Sequence, residues 1–346
     1  MSTDFDVRPY QPGDEEGLVA LFGRCFGRET TLAHWRWKMQ SCEASYDTMW
    51  VAVQGDRHVG QYVGTPVTAW IRGEPSSAIA IFDTMVDPSM RRKGVLTVVG
   101  QAAHDHWESS GVQLGFGLPN QQWGSRAAAL GWVPLFPLKW LVRVLRPEAI
   151  LARRSKIPGL KSLSPIGAAT RRMLGTSRTN KELSYENVTI AGADFDAIAR
   201  AWRCTTSTQI ARGQEWVQKR YLDCPSADYR VVLAKDTNGP VAYAVYRIID
   251  KEAFQLVITE VILNRADPLL YSSMMNEIER QALELGVETM RSLAVPGKLN
   301  HKCLLECGFI EKKEHFTLQC VPFATELKER RGLSDWDFEG GDFDVV

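Results

Sequence analysis

Apolar and polar positions along the 346-residue chain fall into two periods. Residues 5–10, 49–54, 58–72, 79–86 and 112–117 are rich in β-branched and aromatic side chains. They are bounded by turn formers such as Gly55-Asp56 and Asp87-Pro88, and this predicts strands. Residues 18–26, 30–40 and 95–107 instead space their apolar side chains by three and four, which predicts helices. The first of these helices opens on Asp14-Glu15-Glu16, acids that suit the positive end of a helix dipole. A short helix closing at Leu130-Gly131-Trp132 follows Leu118-Pro119-Asn120.

The pattern then repeats. Trp35, Val59 and Gly131 have counterparts in Trp216, Val241 and Gly308, each roughly 180 residues later, so the chain reads as two copies of one unit. The second copy keeps a strand at 254–263 and a helix at 268–285. Between the copies, residues 143–181 hold ten Lys and Arg against one acid, Glu148, with Pro147, Pro158 and Pro165 as punctuation. This predicts domains at 1–142 and 183–346 joined by a basic linker, 143–182, with an acidic, aromatic tail from Asp335 that could dock on the protein's own surface.

Candidate chemistry begins at the turn between the 79–86 strand and the 95–107 helix. Arg91, Arg92 and Lys93 precede Gly94, whose missing side chain lets ligand oxygens reach the backbone N–H groups of Val95, Leu96 and Thr97. Three cations, several N–H donors and the helix dipole suit a pyrophosphate. The spacing is neither that of a Walker loop nor that of a dinucleotide fingerprint. One carboxylate, Asp83, interrupts the apolar strand, and a buried acid needs either a partner or a job.

These residues resemble the GNAT superfamily of acyl-CoA-dependent N-acyltransferases, whose pyrophosphate loop reads Gln/Arg-x-x-Gly-x-Gly/Ala after a strand ending in Val-x-Pro. Val86-Asp87-Pro88 and Arg91-Arg92-Lys93-Gly94-Val95-Leu96 match, except that Leu96 replaces the small residue. A second block in that family, Asn-x-x-Ala-x-x-x-Tyr-x-x-x-Gly-Phe, places Asn120 on the asparagine that touches the pantetheine arm. Trp123 falls on the alanine, and Ala127 on the tyrosine that would protonate the departing thiolate. The tyrosine is lost.

The resemblance implies an α/β fold with a mostly antiparallel mixed sheet, in tandem GNAT-like domains of which only the first carries the CoA loop. In the second, Pro268 and Tyr271 stand where Arg91 and Gly94 would be. It further implies acetyl-CoA or another acyl-CoA as donor, a small primary amine as acceptor, and direct attack without an acyl-enzyme. A backbone N–H of Met85 or Val86 would meet the thioester oxygen, and Asp83 would be the base. Glu260 is its counterpart in the second copy, and His34, His104 and His106 are alternatives. His104 and His106 are read as surface residues of the helix.

Acceptor classes include nucleotide-linked amino sugars, which suit the aromatic first half and the basic linker, aminoglycosides and protein amines. A non-catalytic acyl-CoA sensor is an alternative that the missing tyrosine keeps open. Zero net charge implies no general attraction to nucleic acid or membrane. Seven scattered cysteines without a Cys-x-x-Cys pair imply no metal site and a reducing cytoplasm. No run of ~18 apolar residues predicts a membrane span. A homodimer is compatible with all of this.

Overall fold

The elements of the first half run in chain order, and all but the strand at 133–144 were expected from the sequence: β1 (Asp6–Pro9), α1 (Glu15–Phe26), α2 (Leu32–Gln40), β2 (Met49–Gln54), β3 (Arg57–Ile71), β4 (Glu74–Val86), α3 (Val95–Ser109), β5 (Leu114–Gly117), α4 (Gly124–Ala129), β6 (Val133–Val144) and α5 (Pro147–Ser155). The second half repeats this with β7 (Ser184–Val188), α6 (Ala193–Trp202), a short β8 (Thr208–Ile210), α7 (Gln214–Val217), β9 (Tyr229–Asp236), β10 (Gly239–Asp250), β11 (Phe254–Leu263), α8 (Pro268–Glu284), β12 (Thr289–Ala294), α9 (Leu299–Glu306), β13 (Ile310–Pro322) and α10 (Thr325–Lys328). The computed structural model describes residues 4–40, 48–119, 124–155, 179–203, 208–250, 254–329 and 333–342. The middle of the expected basic linker, 156–178, lies outside them.

One mixed sheet of 13 strands holds the described chain together, in the order β1-β2-β3-β4-β5-β13-β6-β12-β11-β10-β9-β7, with β8 added to β3. Among the described strands only β4–β5 and β11–β12 run parallel, and each is the crossover that contains the long helix of its half. The halves are joined by more than a linker. β13 of the second half lies between β5 and β6 of the first, pairing Gln319 with Gly117 and Phe316 with Leu138. β6 in turn pairs Trp140 with Leu293 of β12. Each half therefore completes its sheet with the other's last strand, which removes two edges that would otherwise stand open. Leu138 and Leu141 of β6 and Leu318 and Cys320 of β13 are fully buried at this seam.

In both halves the parallel strands part company after a few residues. β4 pairs with β5 only over Ala78–Ala80, and β11 with β12 only over Gln255–Ile258. The second gap is filled by the acidic tail. Leu333, Trp336 and Phe338 are buried, and Asp337 N–H donates to the Thr208 carbonyl at 2.8 Å. Glu339 accepts from Val261 N–H at 3.3 Å and from Asn300 Nδ2 at 3.0 Å, so its carboxylate sits against the diverging end of β11.

The tail brings its charges with it. Asp342 lies 2.5 Å from the Arg212 guanidinium, Glu260 of β11 lies 3.4 Å from it, and Tyr243 donates to Glu260 at 3.1 Å. Asp337 accepts from the Trp202 indole. Four carboxylates thus surround one buried arginine. Burial pushes all three tail acids above the usual carboxylate range, and Arg212 opposes the shift; Asp342 comes to about 7. Glu260, the sequence counterpart of Asp83, is a member of this structural cluster.

Arg212→Met should make stability strongly dependent on pH. A carboxyl whose folded pKa is raised contributes stability that is present below its unfolded pKa and lost as pH rises through the folded value. In the wild type that loss falls between about pH 4 and 7 for Asp342. Without the guanidinium the acids shift further up and the loss continues beyond neutrality. Urea denaturation at pH 8 should show at least ~3 kcal/mol of destabilisation relative to wild type, the cost of leaving buried charge unpaired, and clearly less at pH 5. An equal loss at both pH values would contradict this account.

Candidate active site

β4 is the strand on which the site is built. Beyond Ala80 it leaves β5, and its pairing with β3 slips: Gln61 faces Met85, but Val63 faces Phe82. The extra residue at this bulge bends the strand and re-aims its side chains. Asp83 sits in the bulge with φ 42°, a left-handed conformation that Asp tolerates better than most residues. Its carbonyl accepts from Gln61 Nε2 at 3.1 Å, and its carboxylate lies 2.6 Å from Lys38 Nζ on α2. Both side chains are largely buried, at 11% and 5% exposed. The Lys38 ammonium also stands 4.9 Å from the Phe82 ring centre. Asp83 is therefore paired with a cation and still faces a cleft.

Past β4 the chain is anchored before it turns. The Asp87 carboxylate accepts from Arg24 and Arg57, each at 2.7 Å, and from Ser89 N–H and Oγ. Burial alone would raise its pKa, but these hydrogen bonds outweigh it and hold the carboxyl well below the usual range. The basic turn itself is exposed, with Arg92 at φ 66° and Gly94 at φ 82°. Gly94 is the N-cap of α3, and no side chain caps that helix. Leu96, where the family prefers a small residue, packs instead against the cluster of Ile79, Trp107 and Tyr62. The second half differs at the matching place. Asp267 caps α8 by accepting from Leu269 and Leu270 N–H at 2.8 and 3.2 Å, so that helix start binds its own carboxylate.

A cleft of about 310 Å3 opens between the halves beside Asp83. The first half lines it with Lys38, His34 and Trp37 of α2, and the second with Ser226, Tyr229 and Arg247. Trp37 Nε1 donates to the Lys219 carbonyl at 2.8 Å, and His34 Nδ1 meets Ser226 Oγ, which ties α2 to the second half across the cleft. The strand that carries Asp83 into a mixed-charge cleft is thus followed by an exposed N-terminal helix end.

Residues 6–132 match the profile of the acetyltransferase (GNAT) domain family. They are a GNAT acetyltransferase domain. Similar folds extend over nearly the whole chain. A GCN5-related N-acetyltransferase from Anabaena variabilis is 11% identical with a TM-score of 0.67, covering 92% of this chain and 73% of its own. A probable N-acyltransferase from Enterococcus faecalis is 12% identical with a TM-score of 0.66, covering 93% and 74%. Saccharomyces cerevisiae N-myristoyltransferase, solved with bound myristoyl-CoA, is 11% identical with a TM-score of 0.63, covering 93% and 83%. No curated protein matches the chain in sequence.

Within residues 6–132, Asp83, Met85 and Val86 lie on the stretch of β4 that has left β5 while Met85 and Val86 still pair with β3, and residues 91–97 form the turn and first helical positions beyond it. Asn120 and Trp123 lie outside the described residues. Ala127 is buried beside Leu130 and Trp132. His104 is not the surface residue its place on the helix suggested. It lies on the inward stripe with Gly100, Ala103 and Trp107, and burial lowers its pKa to about 4. Its Nε2 meets Tyr62 Oη at 2.8 Å, and Trp132 Nε1 donates to the same oxygen at 3.1 Å. His106 is half-buried, with its ring 5.8 Å from that of Trp50. Lys38 and Arg247 went unread in the sequence. Lys38 looks like a solvated charge on a helix rich in Trp and Arg, and nothing local marks Arg247.

Replacing Arg91 and Arg92 together with alanine should weaken CoA binding at least tenfold while leaving the melting temperature unchanged. Each charge-assisted hydrogen bond contributes ~1.5–3 kcal/mol, and in this structure neither arginine forms an ion pair with a described residue. Calorimetric titration with CoA checks the first part and a thermal scan the second.

Proposed function

We propose that the protein moves an acyl group, with acetyl as the simplest case, from acyl-CoA to a primary amine seated in the inter-half cleft. The acceptor class that fits best is a nucleotide-linked amino sugar. One observation carries the reading: Asp83 lines the cleft from the stretch of β4 that has left β5, and the basic turn follows the same strand at Arg91. The pyrophosphate would rest on the cations and N–H groups of residues 91–97, with Asn120 and Trp123 along the pantetheine arm. The thioester would then lie along residues 83–86, where a Met85 or Val86 N–H can meet its oxygen as charge develops there.

An amine held in the cleft attacks the carbonyl directly, and the cleft's walls supply the orientation that makes attack fast. Asp83 is the group placed to take the amine's proton, directly or through water. Lys38 neutralises and positions that carboxylate. The thiolate leaves without a tyrosine to protonate it, since Ala127 offers no hydroxyl, so another residue or water supplies the proton, or the thiolate departs unprotonated.

Asp83→Asn should lower kcat by ~10²–10⁴ with little change in CoA affinity, the range for losing a general base. The amide leaves Lys38 largely buried and without this carboxylate, so the Lys38→Met/Asp83→Asn double variant serves as the folding control. Both variants should be equally slow, measured by thiol release with an amine library. Wild-type kcat and pH–rate profile in a folded Asp83→Asn protein would remove Asp83 from the mechanism.

A further inference from the structure

The charges around the cleft do not cancel. Lys38 and Asp83 neutralise one another at 2.6 Å. That leaves Arg28, Arg247 and Glu29 among the lining residues with full charges. Arg28 and Glu29 follow Gly27, which closes α1 at φ 65°, and both stand exposed at the rim. Arg247 projects from β10 of the second half and is partly buried. Among the described residues neither arginine forms an ion pair. Arg28 lies 5.3 Å from the Phe22 ring centre and Arg247 5.6 Å from the Tyr229 ring centre, so each guanidinium is set against an aromatic residue of the same cleft. The Arg247 Nε is moreover buried with no hydrogen-bond partner. A buried guanidinium N–H without an acceptor is costly, and a rigid fork of donors facing a cleft is the geometry that carboxylate and phosphate satisfy.

We propose that Arg247, assisted by Arg28, binds an oxyanion carried by the acceptor, so that the acyltransferase selects amines bearing a fixed negative charge. This rests on the acyl-transfer reading of the cleft and refines it. The group recognised is a phosphate or a carboxylate, set apart from the amine that reaches Asp83. It also assigns work to the half that lacks a CoA loop: the first half holds donor and base, and the second reads the acceptor. Arg247 lines the cleft from the second half and Asp83 from the first. Glu29 at the rim disfavours an acceptor whose charge stays outside.

The test is equilibrium binding to the full chain saturated with CoA, measured by calorimetry with four probes. Glucosamine carries no anion, glucosamine 6-phosphate and UDP-glucosamine carry phosphate, and muramic acid carries a carboxylate. At least one anionic probe should bind ten times or more tightly than glucosamine, and comparison of the phosphate and carboxylate arms identifies the source of the oxyanion. Arg247→Ala should erase that preference, raising Kd ten- to hundredfold for the preferred probe and less than threefold for glucosamine. Arg247→Lys should restore part of it, and Arg28→Ala should have a smaller effect of the same kind. Equal binding of neutral and anionic probes, no binding of any anionic probe, or an equal loss for all probes in Arg247→Ala would overturn the proposal. Because the readout is binding, selective uptake without thiol release would sink the transfer reading and leave the oxyanion site standing. Acyl transfer to neutral and anionic amines alike would do the reverse.

Discussion

The exchange of β6 and β13 is the constraint on which the rest of this molecule depends. Parallel strands that enclose a helix need a further strand to close the sheet, and here each half takes that strand from the other. The consequence is a single sheet whose central strands belong to both halves. Relative movement of the halves would break paired backbone in the core and not merely slide a surface contact. A cleft lined from both sides then becomes a place of fixed geometry, and α2 is bridged over it by Trp37 to the Lys219 carbonyl.

Within that symmetric frame, two local differences divide the labour. At the start of the long helix, Gly94 leaves α3 uncapped and exposed beside three cations, whereas Asp267 supplies α8 with an internal carboxylate. The same helix dipole is kept available for a ligand in one half and is satisfied by the protein in the other. At the diverging strands, the first half leaves residues 81–86 without a strand on the β5 side, whereas the second fills its gap with the tail, Glu339 accepting from Val261 N–H. A carboxylate of the chain occupies in the second half the kind of position that a thioester oxygen would occupy in the first. The second half's own residues satisfy the helix start and the strand edge that the first half leaves open.

Burying that tail requires burying its acids. Arg212 is the single guanidinium available to Asp342, Glu260 and Asp337, and the cluster works because hydrogen bonds from Trp202, Tyr243 and Asn300 share the load. Burial and the neighbouring carboxylates raise the pKa values of these acids, and the charge of Arg212 opposes the rise.

Local chemistry was legible in the chain from the start. The alternation of β3 and β4, the acids opening α1, the glycine after three cations and the paired Gly131 and Gly308 each report a short-range requirement, a period, a cap or a positive φ, that a few neighbouring residues settle among themselves. The tandem repeat was readable for the same reason, since both copies must meet the same local requirements. What only the tertiary structure decided involves partners far apart in sequence. His104 turns inward because Tyr62 and Trp132 wait there, Asp83 meets Lys38, Glu260 shares Arg212 with the tail, and Arg247 faces a cleft whose other wall is α2. The exchanged strands belong to the same class. β6 and β13 carry ordinary strand patterns that specify pleat and burial but not which neighbour they pair with, and that choice depends on closing the whole sheet.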